Sequence, residues 1–549
     1  MKFGDIPIGE ATGAILAHSI RLERTVFKKG RVLSAEDVAA LTAAGHTSIV
    51  GAQLGPGDVP EDAAAARIAA AVCGSNLTRS AAFTGRCNLF ANTSGLAVID
   101  VARLDRLNLV DEAVTLATVP AFARVEPRQM VATVKIIPFA APAEAVAGAL
   151  KIAEDGGPIV KVAAFRAKRV GLIQTRLPGM KDSVLARTVD TTRARIAALG
   201  SELVADEIVD HEEQAIAAGV RHQRERGCDP ILVMGASAIV DRRDAIPSAI
   251  VAAGGEIVHF GMPVDPGNLM LLGHIAETNV MGLPGCARSP KLNGFDFVLQ
   301  RLLADIPVTR KDIMQLGAGG LLTEIATRPL PRGEASPAPA PSVPRAPKIA
   351  AVVMAAGRSS RMAPANKLLT DVEGRLMVQR AVDAALASQA RPILVVTGHD
   401  GGRVREALAG RPVEFADNPD FAAGLSTSVR AGLAWLAGKD VDGAVFLLGD
   451  MPLVMAAHID RLIAAFSPVE GRAICVPTHK GKRGNPVLWG AKFFPEMRAL
   501  EGDKGARSLF GTHSDQVCEV EMADEGVLVD IDTPEALATL RRAQQLASA

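Results

Sequence analysis

The stretch Ala355-Ala356-Gly357-Arg358-Ser359-Ser360-Arg361-Met362, with Lys367 close behind it, gathers small residues and cations in the way a phosphate chain requires. Small residues let backbone N–H groups come near an anion, and a helix starting there adds partial positive charge. Arg358, Arg361 and Lys367 supply three cations. Further along, Asp450 follows the apolar run Val445-Phe446-Leu447-Leu448. A carboxylate at the C-terminal tip of a parallel strand lies where ligands of such sheets bind. It also suits Mg²⁺, which keeps several waters and shares phosphate oxygens with its substrate. Asn418, Gly424, Ser426, Thr427 and Ser428 form a third group. Its hydroxyls can donate to phosphate or to base edges, or can cap the helix that follows. Together these residues read as a grip on a nucleoside triphosphate. The first loop is not GxxxxGK[ST], so a P-loop is excluded.

Such side chains need a sheet to carry them. Ile349 to Met354 is an apolar run of strand length leading into the first loop, and a helix is expected after the turn. A second alternation begins near Arg169. Val170 to Ile173, Glu202 to Val209 and Pro230 to Met234 read as strands. Ser183 to Leu199 and Glu212 to Arg226 read as helices between them, so a parallel sheet is expected there too. Between the two patterns, residues 329–347 carry seven prolines among Ala, Ser and Gly, the composition of an extended linker. Before residue 165 an α+β region is expected, with Ser34 and Asp37 as a capping box and a strand over Val131 to Ile137.

The loop and strand-end motifs resemble, in order, those of the molybdenum cofactor cytidylyltransferase family. The resemblance implies a Rossmann-like nucleotidyltransferase domain over 348–549. It makes Arg361, Lys367 and Asp450 the catalytic set, and Asp450 with Asp532 the Mg²⁺ ligands, Asp530 standing behind Asp532. Ala355, Ala356, Gly357, Arg358, Ser359, Asn418, Gly424, Ser426, Thr427 and Ser428 would bind the nucleotide. Asn485, Lys504 and Arg507 would face the acceptor. Ala356, where guanylyl enzymes of the superfamily have glycine, implies CTP, its methyl narrowing the space beside a purine. An acid usual in the family is replaced by Ala536. The implied reaction is in-line attack of an acceptor phosphate oxygen on the α-phosphorus, with pyrophosphate leaving.

Residues 166–328 resemble the molybdopterin-binding domain of molybdopterin adenylyltransferases and molybdenumtransferases. The positions carried over are Asp210, Gly235, Ser237, Asp241, Pro266, Gly267, Pro284 and Gly285. The family's glycine pair is lost, since Ala236 follows Gly235. Residues 1–165 resemble part of a molybdenumtransferase. The whole reads as a multidomain fusion that transfers a cytidylyl group from CTP to Mo-molybdopterin, with a recipient molybdoenzyme or its chaperone as a further partner. The alternatives are guanylyl transfer from GTP, transfer to a phosphosugar or alditol phosphate, and a molybdopterin carrier without turnover.

Composition sets the outer limits. A length of 549 residues allows about two to four domains. A net charge of zero gives no general attraction to nucleic acid or membrane. Tyrosine is absent, which argues against stacking platforms for single strands. The six cysteines contain no CxxC pair and read mostly as core residues. No apolar run is long enough to span a bilayer and no signal-peptide pattern opens the chain, so a cytoplasmic location is expected.

Overall fold

A computed structural model describes residues 1–22, 26–322, 345–357, 366–500, 506–533 and 535–540. Most of the proline-rich stretch, and the segment directly after Gly357, lie outside the described residues.

The C-terminal sheet has eight strands: β7 (Ile349–Ala355), β8 (Ile393–Thr397), β9 (Glu414–Asp417), β10 (Gly443–Leu448), β11 (Ile474–His479), β12 (Lys482–Arg483), β13 (Val487–Gly490) and β14 (Val517–Glu521). Their order is β9-β8-β7-β10-β13-β11-β12, with β14 on β11. β7 pairs in parallel with both β8 and β10, and β13 runs antiparallel to β10. Every residue of β7 is buried. The strand alternation explains how: Ile349, Ala351, Val353 and Ala355 enter one core, while Ala350, Val352, Met354 and Ala356 enter the core on the opposite face. A central parallel strand is thus apolar throughout, and polar groups are displaced to its ends.

A six-stranded sheet precedes it: β1 (Arg169–Arg176), β2 (Glu202–Asp210), β3 (Ile231–Met234), β4 (Glu256–Phe260), β5 (Leu271–Ile275) and β6 (Thr278–Leu283). The order is β2-β1-β3-β6-β5-β4, parallel through β6 and antiparallel beyond it. The expected helices are present as α1 (Asp182–Ala197) and α2 (Glu213–Glu225). β1 is longer than expected, because Gln174 and Thr175 are buried polar residues that a hydropathy pattern passes over.

The first 165 residues are mixed α and β. Strands Lys2–Pro7, Ser48–Gln53 and Ile15–Leu16 make one small sheet, beside helix Ala35–Ala43 with the expected Ser34–Asp37 capping box. Helices Glu61–Val72 and Ala143–Glu154 pack over a four-stranded sheet whose longest strand is Met130–Ile136. These parts touch the C-terminal sheet. Lys28 Nζ donates to Val517 O at 2.7 Å, and Arg461 pairs with Asp62 at 3.0 Å. Cys87, Cys228 and Cys475 are buried, whereas Cys286 is exposed, so the core reading holds for only part of the set. Among the described residues no helix is long and apolar enough to cross a membrane.

Candidate active site

The turn after β7 and the turn after β10 lie side by side, since Met354 pairs with Leu448 and Gly449 N donates to Met354 O at 3.1 Å. Asp450 therefore leaves the sheet next to the Ala355–Gly357 turn. Its carbonyl accepts from Ile531 N at 3.0 Å, which brings the segment carrying Asp532 alongside. Lys367 opens the short 3₁₀ turn Lys367–Leu369, capped by Asn366, whose side-chain oxygen accepts from Leu368 N at 3.0 Å.

These three residues meet. Lys367 Nζ donates to Asp450 Oδ2 and, at 2.6 Å, to Asp532 Oδ1. Burial works against the ammonium charge, but the two carboxylates outweigh it and hold the lysine above its usual range. The other oxygen of Asp450, Oδ1, is buried and has no hydrogen-bond partner among the described residues. A buried carboxylate oxygen without a donor is costly, and a hard cation is a partner that satisfies it. Among the described residues there is no cluster of three or more His, Cys, Asp or Glu that could hold a metal. An ion here would rest on Asp450 and Asp532 and complete its shell with waters and substrate oxygens, which is how Mg²⁺ is commonly held.

The hydroxyl group of residues divides in two. Asn418 Nδ2 donates to Thr427 Oγ1 at 2.8 Å and to Ser428 Oγ at 2.9 Å, and Thr427 donates to Gly424 O at 2.8 Å. These side chains brace the start of helix α3 (Leu425–Leu436). Gly424 sits at its N-cap with φ +112°, a conformation that disfavours any side chain. Ser426 Oγ is buried and has no partner among the described residues, near the helix start.

Residues 351–517 match the family model described as the MobA-like NTP transferase domain. The purine catabolism protein PucB of Bacillus subtilis is 30% identical over 211 residues, which are 36% of this chain and 98% of that protein. The chain belongs to the MobA-like NTP transferase family. The molybdenum cofactor cytidylyltransferase of Escherichia coli is 29% identical over 193 residues, 35% of this chain and 94% of that protein. A solved nucleotidyl transferase from Methanothermobacter thermautotroptrophicus is 28% identical, covering 36% of this chain and 99% of its own, with a TM-score of 0.33. Residues 5–53 match a domain of unknown function (DUF8806). The protein is thus a nucleotidyltransferase that uses a nucleoside triphosphate.

Ala355 is buried at the end of β7, and Gly357 is exposed. Ala356 is buried. A Cβ added to Gly398 would stand 2.9 Å from the Ala356 methyl, so that methyl faces Gly398 rather than an open base site. Asn485 forms a cis bond to Pro486, its N–H donating to Val527 O at 2.9 Å. Arg507 and Asp530 are exposed. Arg358, Ser359, Arg361 and Lys504 lie outside the described residues. Thr533 Oγ1 accepts from Ala536 N at 3.3 Å, so the helix start after Thr533 is capped without the family's acid.

On the six-stranded sheet, the eight carried-over positions lie at the C-terminal end of the parallel strands, Asp210 as the last residue of β2 and the other seven in the segments beyond the strands. Asp210 is exposed at the tip of β2 and caps no helix, the N-cap of α2 being Glu212. Asp241 is engaged by Arg243 at 2.9 Å. Pro266 follows a cis bond, and its carbonyl accepts from Gly294 N at 2.8 Å. A Cβ on Gly267 would lie 2.7 Å from Gly294 N, so that loop is fitted closely to the chain beside it. Two residues of this end escaped the sequence reading: His211 and Arg288. Neither sits in a spacing motif, and only the direction of their side chains brings them into the group.

A cleft of 1870 Å³ lies at the other end of the C-terminal sheet, beside Ile349 and Ile393 where β7 and β8 begin. Its walls mix Arg128 and Arg472 with Asp442 and Asp460, and it holds none of the acids described above.

Proposed function

We propose that residues 348–549 transfer a cytidylyl group from CTP to Mo-molybdopterin with release of pyrophosphate. One observation carries the reading: a single ammonium, Lys367, is shared by Asp450 and Asp532 beside the turn after β7. Transfer at phosphorus places negative charge on non-bridging and leaving oxygens, so fixed cations and positioning dominate the catalysis. Lys367 would swing from the acids to the triphosphate as it arrives, while Asp450 and Asp532 hold Mg²⁺. When bound, that ion supplies charge neutralisation and a template for phosphate oxygens. Ser426, whose buried hydroxyl has no partner among the described residues, would donate to the nucleotide. Arg361 and Lys504 would add cations. Asn485 and Arg507 would face the acceptor, which already carries a phosphate and needs no strong base.

The division proposed for the chain is 1–165, 166–328, a linker over 329–347, and 348–549. Residues 166–328 would bind molybdopterin through the loops at one end of the six-stranded sheet. A linker of that length holds two domains at an effective concentration in the millimolar range, so the pterin can pass between them without full release. Cutting the chain within the linker is the check: dilute halves that turn over as fast as the intact protein would remove the idea.

The resemblance to cytidylyltransferases supports CTP. The inward-facing Ala356 methyl favours guanylyl transfer as the second reading, since it leaves the base site without a direct steric bar to a purine. Pyrophosphate release with Mo-molybdopterin and each of the four triphosphates separates the two.

A further inference from the structure

The two acids bonded to Lys367 come from separate segments. Asp450 lies in the turn between β10 and helix α4 (Ala456–Ala465), and Asp532 follows β14 by way of a 3₁₀ turn, Glu525–Val527. When the ammonium leaves them for the triphosphate, two like charges remain side by side, and their repulsion pushes the segments apart. The spacing of the acids then depends on how the segments are fastened to each other. One tie lies next to the acids, where Ile531 N donates to Asp450 O at 3.0 Å.

A second tie lies further along the same contact. His458, in the first turn of α4, is 4% exposed. Its Nδ1 accepts from Met455 N at 3.2 Å, and its Nε2 lies 3.1 Å from Asp524 Oδ2. The other oxygen of Asp524 accepts from Gly526 N at 2.8 Å, so the same carboxylate caps the 3₁₀ turn. That turn rests directly on the Asp450 loop. A Cβ on Gly526 would stand 2.6 Å from Leu453 O and 3.3 Å from His458 Cε1. Val527 enters the same core as Met451, Val454 and Ile459.

The partners fix where the His458 proton sits. A backbone N–H only donates, so Nδ1, which faces Met455 N, carries no proton. The neutral ring holds its proton on Nε2 and donates it to the Asp524 carboxylate in a charge-assisted bond. Burial works to raise the Asp524 carboxyl, but Gly526 N–H and His458 outweigh it and hold it below the usual carboxylate range. One ring thus fastens the start of α4 on one side and the 3₁₀ turn on the other.

We propose that His458 and Asp524 are positioning residues for the metal site, their bond setting the separation of Asp450 and Asp532 once Lys367 has turned to the triphosphate. The inference rests on reading those two acids as the Mg²⁺ ligands, and it adds what keeps them spaced. Neither residue stands in a motif that carries the family resemblance.

The test uses the full chain and Mn²⁺, whose electron paramagnetic resonance reports binding without turnover. The wild type should bind the ion and Asp450→Ala should lose it. Asp524→Ala and His458→Asn should each weaken binding about tenfold, the low end for residues behind a metal ligand. Asparagine at 458 keeps an acceptor for Met455 N–H but is too short to reach Asp524, so it breaks the tie alone. The double variant should bind no more weakly than either single one, because the same bond is lost in all three. Asp524→Asn removes the same charge as Asp524→Ala but keeps an oxygen for Nε2–H, and should stay within about twofold of the wild type. Wild-type affinity in Asp524→Ala, losses that add in the double variant, or an Asp524→Asn as weak as Asp524→Ala would each overturn the proposal. Nitrogen NMR of the histidine-labelled wild type is a second readout that needs no variant to fold. Nε2 should carry the His458 proton, and a proton on Nδ1 overturns the assignment. An Asp450→Ala that binds Mn²⁺ as well as the wild type would instead count against the metal site itself, and the proposal falls with it.

Discussion

Lys367 donates its ammonium to the carboxylate of Asp450, 83 residues further along the chain, and the same nitrogen reaches Asp532. Three residues from three separate loops thus share one proton-rich centre at the tip of the sheet. Removing either member of the Lys367–Asp450 pair should cut the rate. Lys367→Met and Asp450→Asn are each expected to lower kcat for pyrophosphate release by about a hundredfold or more, as loss of a transition-state charge contact does. Steady-state kinetics that resolve kcat from KM provide the check, and a loss confined to KM would contradict the assignment.

The bridge also predicts how the protein responds to metal. In Lys367→Met the two acids lose the cation that neutralises them. The variant should melt below the wild type in EDTA, and should gain more than the wild type on adding Mg²⁺, because binding to the folded state stabilises by RT ln(1 + [L]/Kd). Scanning calorimetry with and without Mg²⁺ measures both. Equal gains in the two proteins would mean that the ion binds elsewhere.

Glu61 gives a pH signature unrelated to the reaction. Burial raises its carboxyl to about 7, Lys135 at 3.8 Å works against that rise, and Asp62 adds to it. Between the ordinary value near 4.5 and about 7 the folded protein therefore binds a proton that the unfolded chain has released. The stability gained from this group is complete below that window and is lost as pH rises through it. Urea denaturation at steps across the window should show stability falling with pH more steeply in the wild type than in Glu61→Gln. Parallel slopes would contradict the shift.

Gly398 tests the packing behind the nucleotide turn. A Cβ there would lie 2.9 Å from the methyl of Ala356, 2.9 Å from Phe421 Cβ and 3.0 Å from the Ala356 carbonyl oxygen. Gly398→Ala should cost about 1–3 kcal/mol in denaturant unfolding, the usual penalty of overpacking. It should also raise KM for the triphosphate, because the turn after β7 is displaced. Ala356→Gly, by contrast, removes a methyl that faces inward. It should leave the ratio of CTP to GTP turnover within about twofold, well short of the discrimination of a methylene in a base pocket. A variant that gains GTP turnover would put that methyl in the base site.

Much of this was legible in the chain. The all-apolar run of β7, the small turn behind it and the acid after β10 announce a parallel sheet with polar groups gathered at its C-terminal tips. The family resemblance put Asp532 ahead of Asp530, and Asp532 is the one whose bond to Lys367 is seen among the described residues. Other features were hidden. Ser426, Thr427 and Ser428 look alike in sequence, yet Asn418 occupies two of them, and the third has no partner among the described residues. His211 and Arg288 enter no motif because their contacts depend on side-chain direction and on partners 26 and 53 residues away in the chain. The first 165 residues were hard to read for a similar reason. Their sheets join segments distant in sequence, such as Gly95–Ile99 with Val160–Ala164, and local periodicity does not report such pairings.

The most direct measurement is pyrophosphate release by the full chain with Mo-molybdopterin and Mg²⁺, run in turn with CTP, GTP, ATP and UTP and repeated with Asp450→Ala. The account predicts turnover with CTP above the other three and its loss in the variant. Silence with all four triphosphates, or a variant as fast as the wild type, would contradict it.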